Sequence, residues 1–569
     1  MKCPKCHERV AFKSWILWPG PTRECRNCHA TLRYVGLYVQ AMLHLVIGIP
    51  IVIALAVLVE SSTISLLLAA VIFLGILAIT AVVLPWNFAR YEECDRRTGW
   101  TKGLLLPAAI LVTMVALFYA WTNWSGAREL RATLAQLDAK KESIRLEDFI
   151  PPSVPDERNV AAAPIFREIF ASKNDSRLNK LTLPWKGSVR PFEGKIHLIQ
   201  IAKEIDPAFS GDEASAGRAV LESLASSEPL LAELREALRR PQVCWPLDYS
   251  KGFALVLPQV GPTAKISQML HVRALAELAT GAPEKAFEDT NTLLALAEVS
   301  ASPHFLINEL VQNSILTRTF EVIADGLSRG AWSDSNLATF SESLAQKNLA
   351  GQMPDAFRME RAMGQQMDWS DLELLKGIPE NNAKRGKWAD GLLNMAWHLR
   401  PAGWTNRDRA LNLLLTQRMI EAMGDGGRIS PDEVRSYEAR IYDPLRTNWG
   451  RLTTPITFYS FPATNGVIQA AALAQTLLES TRTACAVERY RLANKRLPAN
   501  LTELVPAFLA EVPRDPITGA PLLYKPSPDG SFVLYGVGWN QTDDGGSVNS
   551  PEIDRPRKQA DWGVSVSRH

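Results

Sequence analysis

Three long apolar runs between Leu37 and Trp124 constrain this chain more than any other feature. Leu37–Val59 and Ile64–Leu84 are almost unbroken Leu, Ile, Val and Ala, and Leu104–Trp124 follows after a polar interval. Each is about twenty residues, the length at which an α-helix crosses a hydrocarbon core of about 30 Å. In lipid only a helix satisfies the backbone of such a segment. The expectation is a mainly α membrane protein: a small head, three transmembrane helices and a large body. Trp86, Tyr91, Trp100, Tyr119, Trp121 and Trp124 gather near the run ends, as interfacial anchoring predicts.

Basic residues set the expected orientation. Lys2, Lys5, Arg9, Lys13, Arg23, Arg26 and Arg33 precede the first run, and Arg90, Arg96, Arg97 and Lys102 lie between the second and third. The link Glu60–Thr63 carries none. This excess places the head in the cytoplasm and the body outside a bacterial inner membrane, in a multi-pass arrangement contacting lipid. Arg128, Arg131, Lys140 and Lys141 argue the other way. The first apolar run begins only after the cysteine pairs, so no cleaved signal peptide is expected. Overall charge is balanced, 62 basic against 60 acidic residues, and gives no field that would attract nucleic acid.

The head, residues 1–36, holds Cys3-Pro4-Lys5-Cys6 and Cys25-Arg26-Asn27-Cys28. Two Cys-x-x-Cys turns can close a tetrahedral thiolate shell around Zn²⁺. So short a segment has little core, and the metal would supply most of its folding energy. The spacing resembles a zinc ribbon over residues 3–34, which implies a structural metal site at Cys3, Cys6, Cys25 and Cys28. His7 and His29 follow the pairs, so each also reads Cys-x-x-Cys-His, the form of a c-type haem attachment site, and a redox dithiol is a third reading. With zinc, the histidines are bystanders at a position where ribbons often carry Gly.

The body opens with residues 125–155: a charged helical stalk over Arg128–Arg145, then the stiff Ile150-Pro151-Pro152-Ser153-Val154-Pro155 linker. Residues 156–460 read as a helical domain. Its clearest unit is His271–Ala279, the break Thr280-Gly281-Ala282-Pro283, and Glu284–Glu298. This pair looks like a tetratricopeptide-type hairpin, a unit that stacks into protein-binding arrays; without a steady repeat period, an irregular helical domain is the other reading. Gly424–Glu433 lacks the early oxygen ligands of an EF-hand and reads as a turn, with Ser430 capping a helix that Pro431 opens.

Residues 465–569 form an α+β module: the helix Ala470–Asn494, Leu497-Pro498, Asp515-Pro516, two strand-like runs joined across Ser527-Pro528-Asp529-Gly530, and an Asp/Gly loop from Gly538 to Gly546. That order resembles the C-terminal domain of the major type II secretion pseudopilins. The resemblance implies a helix packed on a small antiparallel sheet and a Ca²⁺ loop, with Asn540, Asp543, Asp544 and Asp554 as ligands. A plain Asx/Gly turn is the alternative for that loop.

No nucleophile elbow, His-Glu-x-x-His, phosphate loop or dinucleotide fingerprint occurs in the chain. His197, His271, His304 and His398 are scattered through the body and form no cluster in sequence. Trp185, Trp245, Trp332, Trp369, Trp388, Trp397, Trp404, Trp449 and Trp539 could line a glycan or peptide groove, or pack a core. Cys244 and Cys485 could form a disulfide if close in space. The expected function is a membrane-anchored, non-enzymatic interaction or scaffold protein that binds a protein partner and no nucleic acid. An accessory of a type II secretion or pilus-like system and an envelope hydrolase with an unrecognised site are the alternatives.

Overall fold

The computed structural model describes residues 2–9, 22–34, 91–93, 96–171, 197–367, 400–424, 427–439, 453–548 and 561–568, with single positions 177, 181, 447 and 450. The chain divides into two compact units, Met1–Leu130 with Lys387–Arg407, and Arg131–Gly386 with Asp408–His569.

In the first unit, β1 (Thr22–Glu24), β2 (Thr31–Tyr34) and β3 (Tyr91–Glu93) form an antiparallel sheet in that order. Thr22 pairs with Arg33, and Leu32 with Glu93. Among the described residues of this unit, Cys3, Cys25, Ala30 and Leu32 form a buried apolar cluster. Helix α1 (Arg96–Ala139) starts in this unit.

Among the described residues no helix is long and apolar enough to cross a membrane. This corrects the fold class with three transmembrane helices and, with it, the multi-pass inner-membrane placement with a cytoplasmic head and an extracytoplasmic body. Leu104–Trp124 is not a bounded span. It is part of α1, which continues without a break through Ser125, Arg128, Glu129 and Arg131 to Ala139. Leu37–Val59 and Ile64–Leu84 lie outside the described residues.

The second unit is mainly helical, with a small antiparallel sheet near the C-terminus. Short helices α2 (Pro164–Ala171), α3 (Leu198–Ile205), α4 (Glu213–Leu224) and α5 (Glu228–Leu238) lead to α6 (Val260–Ala279), α7 (Pro283–Ser300) and α8 (Leu306–Arg329). The expected pair around Thr280–Pro283 forms as α6 and α7, and α8 packs on both. Next come α9 (Asp334–Ala345), α10 (Leu349–Gln365), α11 (Ala402–Ala422) and α12 (Pro431–Tyr437). The Ser430 side chain accepts the Glu433 N–H, and Pro431 is the first residue of α12, the turn and cap expected there.

Helix α13 (Pro455–Asn494) is the spine of this unit and begins well before the run Ala470–Asn494 read from the sequence. Val467, Ile468 and Ala471 join one core cluster, and Leu478, Cys485 and Val487 the other. Alanines at 470, 471, 472, 474, 484 and 486 keep its surface low, and α8, α9 and α10 pack against it. Strands β4 (Leu523–Pro526), β5 (Phe532–Gly536) and β6 (Trp562–Val566) form an antiparallel sheet in sequence order. The β4–β5 hairpin closes across Ser527–Gly530 with Tyr524 opposite Leu534, and α13 covers β5 and β6. Strand β6, which pairs Val533 with Ser565, had no counterpart in the sequence reading.

Candidate metal centre

The four N-terminal cysteines come together: the sulfurs of Cys3, Cys6, Cys25 and Cys28 all lie within 4.8 Å of one another. Two turns of the same design deliver them. In the first, Cys3 N–H donates to the Glu8 carbonyl (2.9 Å) and His7 N–H to the Cys3 carbonyl (3.0 Å). In the second, Cys25 N–H donates to Ala30 (2.9 Å) and His29 N–H to Cys25 (2.9 Å). Each turn closes on a residue in the left-handed region, His7 at φ 57° and His29 at φ 53°. Backbone geometry, not ligation, is therefore what positions 7 and 29 supply, and left-handed φ is why Gly suits them. Both imidazoles are exposed, and the His29 Nδ1 sits 3.2 Å from Glu24 Oε1.

Sulfur spacing tests the fit to an ion. A tetrahedral ion with metal–sulfur bonds of about 2.3 Å sets its sulfurs about 3.8 Å apart. Cys3 Sγ lies 3.7 Å from Cys28 Sγ, and Cys6 Sγ lies 3.6 Å from Cys25 Sγ. These contacts are far longer than a disulfide bond and match the edges of a four-sulfur tetrahedron. Both pairs converge on one centre, so the set could hold one metal ion.

Protonation of the thiols follows the same geometry. Backbone N–H groups of Cys28 and then Asn27 point at Cys25 and bring its thiol down to about 6. Cys28 receives the Ala30 N–H, which lowers it, but burial and the Cys6, Cys25 and Cys3 sulfurs outweigh this and push it up to about 12. Cys25 thus forms a thiolate readily, whereas Cys28 keeps its proton. An ion bound by the set displaces thiol protons.

The other expected ligands are arranged differently. Asn540 Nδ2 donates to Asp544 Oδ2 (2.8 Å), while Asp543 Oδ1 accepts from the Tyr535 hydroxyl (3.0 Å) and Gly545 N–H (2.9 Å). Asp561, which precedes β6, closes the loop by accepting the Asp544 and Gly546 N–H groups. These are the contacts of an Asx/Gly turn. Asp554 lies outside the described residues. Among the described residues the cysteine set is the one place where three or more His, Cys, Asp or Glu ligand atoms converge.

The body's polar residues pair through tertiary contacts that helical spacing does not reveal. Buried His271 Nε2 lies 3.0 Å from Glu321 Oε2, which comes from α8. His304 precedes α8, and its Nδ1 lies 2.8 Å from buried Glu309 Oε1, which raises the imidazole pKa. Glu142 takes a two-pronged contact from Arg358 (3.0 and 2.9 Å) and a third from Arg361 (2.7 Å), whose other arm reaches Gln417 (2.6 Å). Trp245 packs on Phe166 and Phe170, Trp332 on Phe340, and Trp539 is buried, so these three belong to the core. Cys244 and Cys485 are free thiols, and burial pushes Cys485 up to about 12.

No family model, curated protein or solved structure matches the chain, so the likeness of its C-terminal module to the pseudopilins has no support beyond short motifs.

Proposed function

We propose that the chain is a non-enzymatic interaction or scaffold protein whose N-terminal head is held by one structural Zn²⁺ and whose helical body binds a protein partner. The convergence of four cysteine sulfurs at tetrahedral edge lengths carries this reading. Zinc suits an all-sulfur tetrahedral shell, and a shell filled by four protein ligands leaves no position for substrate, which makes the site structural. Among the described residues of the head, Cys3, Cys25, Ala30 and Leu32 make a small core, and an ion held by the cysteines would add to it. In the body, Glu142, Arg358, Arg361, Asp289 and Arg235 serve one another in ion pairs, an arrangement suited to rigidity. The α6–α7–α8 stack offers the shape on which helical binding modules are built.

Metal analysis of the purified full chain, with its visible spectrum, tests the head. One zinc per chain and no haem absorption is the expected result. A haem spectrum, or a metal-free head that stays folded, overturns it. The binding role is tested by cross-linking in cells and reconstituting each captured pair from pure components. If no pair re-forms, the role is lost.

A further inference from the structure

The junction of α5, α6 and α7 buries more charge than the metal site or the proposed binding role calls for. Asp289 on α7 is fully buried and Glu277 on α6 is 1% exposed. Asp289 Oδ1 receives Arg235 Nη2 from α5 at 2.6 Å and stands 3.4 Å from Arg273 Nη1 on α6. Glu277 Oε1 lies 3.3 Å from Arg273 Nη2. The second oxygen of each acid, Glu277 Oε2 and Asp289 Oδ2, is buried and receives no N–H. Both acids flank one guanidinium, Glu277 at Arg273 Nη2 and Asp289 at Arg273 Nη1. Two like charges beside one cation in a dry site repel strongly. One proton held between the two acids answers both orphan oxygens.

Surrounding charges do not remove the need for it. Glu228 on α5 draws Arg273 (2.7 Å) and Arg235 (3.2 Å) toward the rim, and Glu288 on α7 takes Arg235 Nε at 3.4 Å. Lys285 is the remaining cation that acts on Glu277, and it is exposed. Carboxylates Glu228, Glu277, Glu288 and Asp289 therefore number four against three cations, Arg235, Arg273 and Lys285. The other helices packed here send their polar groups elsewhere. Helix α4 lays Gly217 against the Ala276 carbonyl, and α8 directs Arg318 to Ser267 and Glu321 to His271. Glu284 of α7 reaches Asn336 of α9.

We propose that Glu277 and Asp289 share one proton that completes the charge balance of the α5–α6–α7 junction, and that losing it to solvent loosens α7 from α5 and α6. The fold thereby carries an alkaline-sensitive joint. Burial, then the Asp289 charge, raises Glu277 to about 8, and burial raises Asp289 to about 6. Both shifts are upward, so the native junction binds more protons than the unfolded chain. Its stabilisation is whole at acidic pH and falls as pH rises through about 8.

Hydrogen exchange of the full-length protein, corrected for intrinsic rates, tests this at pH 7 and about pH 9.5. Peptides covering Glu228–Leu238 and Pro283–Ser300 should lose protection about tenfold or more in the wild type, while the β4–β6 sheet keeps it. Glu277→Gln supplies the donor permanently and should hold protection level across that range. Asp289→Asn should also be pH-insensitive there, at lower overall protection because Arg235 loses its buried and shortest charged contact. A wild-type junction equally protected at both pH values overturns the proposal. So does a loss spread evenly over the unit, or an equal alkaline loss in Glu277→Gln.

Discussion

Single residues show how geometry sets chemistry here. Cys6 is half-buried at the edge of the head's core and supplies one of the four sulfurs, so the near-isosteric Cys6→Ser tests ligation more than packing. Zinc content should drop from one per chain toward none, measured by elemental analysis after gel filtration. Glu142 is a second case: the Arg358 fork, then Arg361, holds its carboxyl down to about 2 against opposing burial. Its folded pKa is depressed, so its stabilisation is present above pH 4.5 and lost as pH falls through about 2. After discounting for solvent screening this is worth about 2 kcal/mol. Glu142→Gln should therefore destabilise the body by that order at neutral pH in urea melts. The gap to wild type should close in acid.

At the scale of elements, several boundaries are set by residues remote in sequence. The start of α13 is capped by fully buried Asp408 of α11, whose carboxylate accepts the Ile456 and Thr457 N–H groups at 3.0 Å each. Charged hydrogen bonds to a buried helix start are worth about 2 kcal/mol or more. Asp408→Ala should cost that much and raise exchange at residues 455–460 first. The end of α8 offers a steric test. A Cβ on Gly326 would sit 2.2 Å from the Trp332 ring, which is pinned by Phe340 and by its Nε1 donating to the Ile323 carbonyl. Since the indole has no room to move, Gly326→Ala should cost about 1–3 kcal/mol, seen as a lower urea midpoint.

For the whole molecule, division into two units predicts that head and body respond separately to loss of a metal. Chelation should abolish exchange protection in residues 2–9 and 22–34, because two of the four residues in the head's described core, Cys3 and Cys25, belong to the cysteine set. Protection in residues 260–367 should stay unchanged, since that unit is held by its own large core. The sequence alone determined what depends on neighbours along the chain: the cysteine set, whose knuckles close within six residues, the α6–α7 turn, the Ser430 cap and the β4–β5 hairpin. Apolarity was equally plain in Leu104–Trp124, but hydropathy does not mark where a helix stops, and α1 runs on through charged residues to Ala139. Tertiary structure decided the rest. Only folding brings Asp408 to the start of α13, Glu142 to Arg361, Asp289 to the Arg273 that also meets Glu277, and β6 beside β5. Most of these contacts join distant parts of the chain, and even the Arg273–Asp289 contact forms only because α7 folds back on α6. Such meetings leave no periodicity in the sequence, and the energy of a buried charge depends on what surrounds it in space.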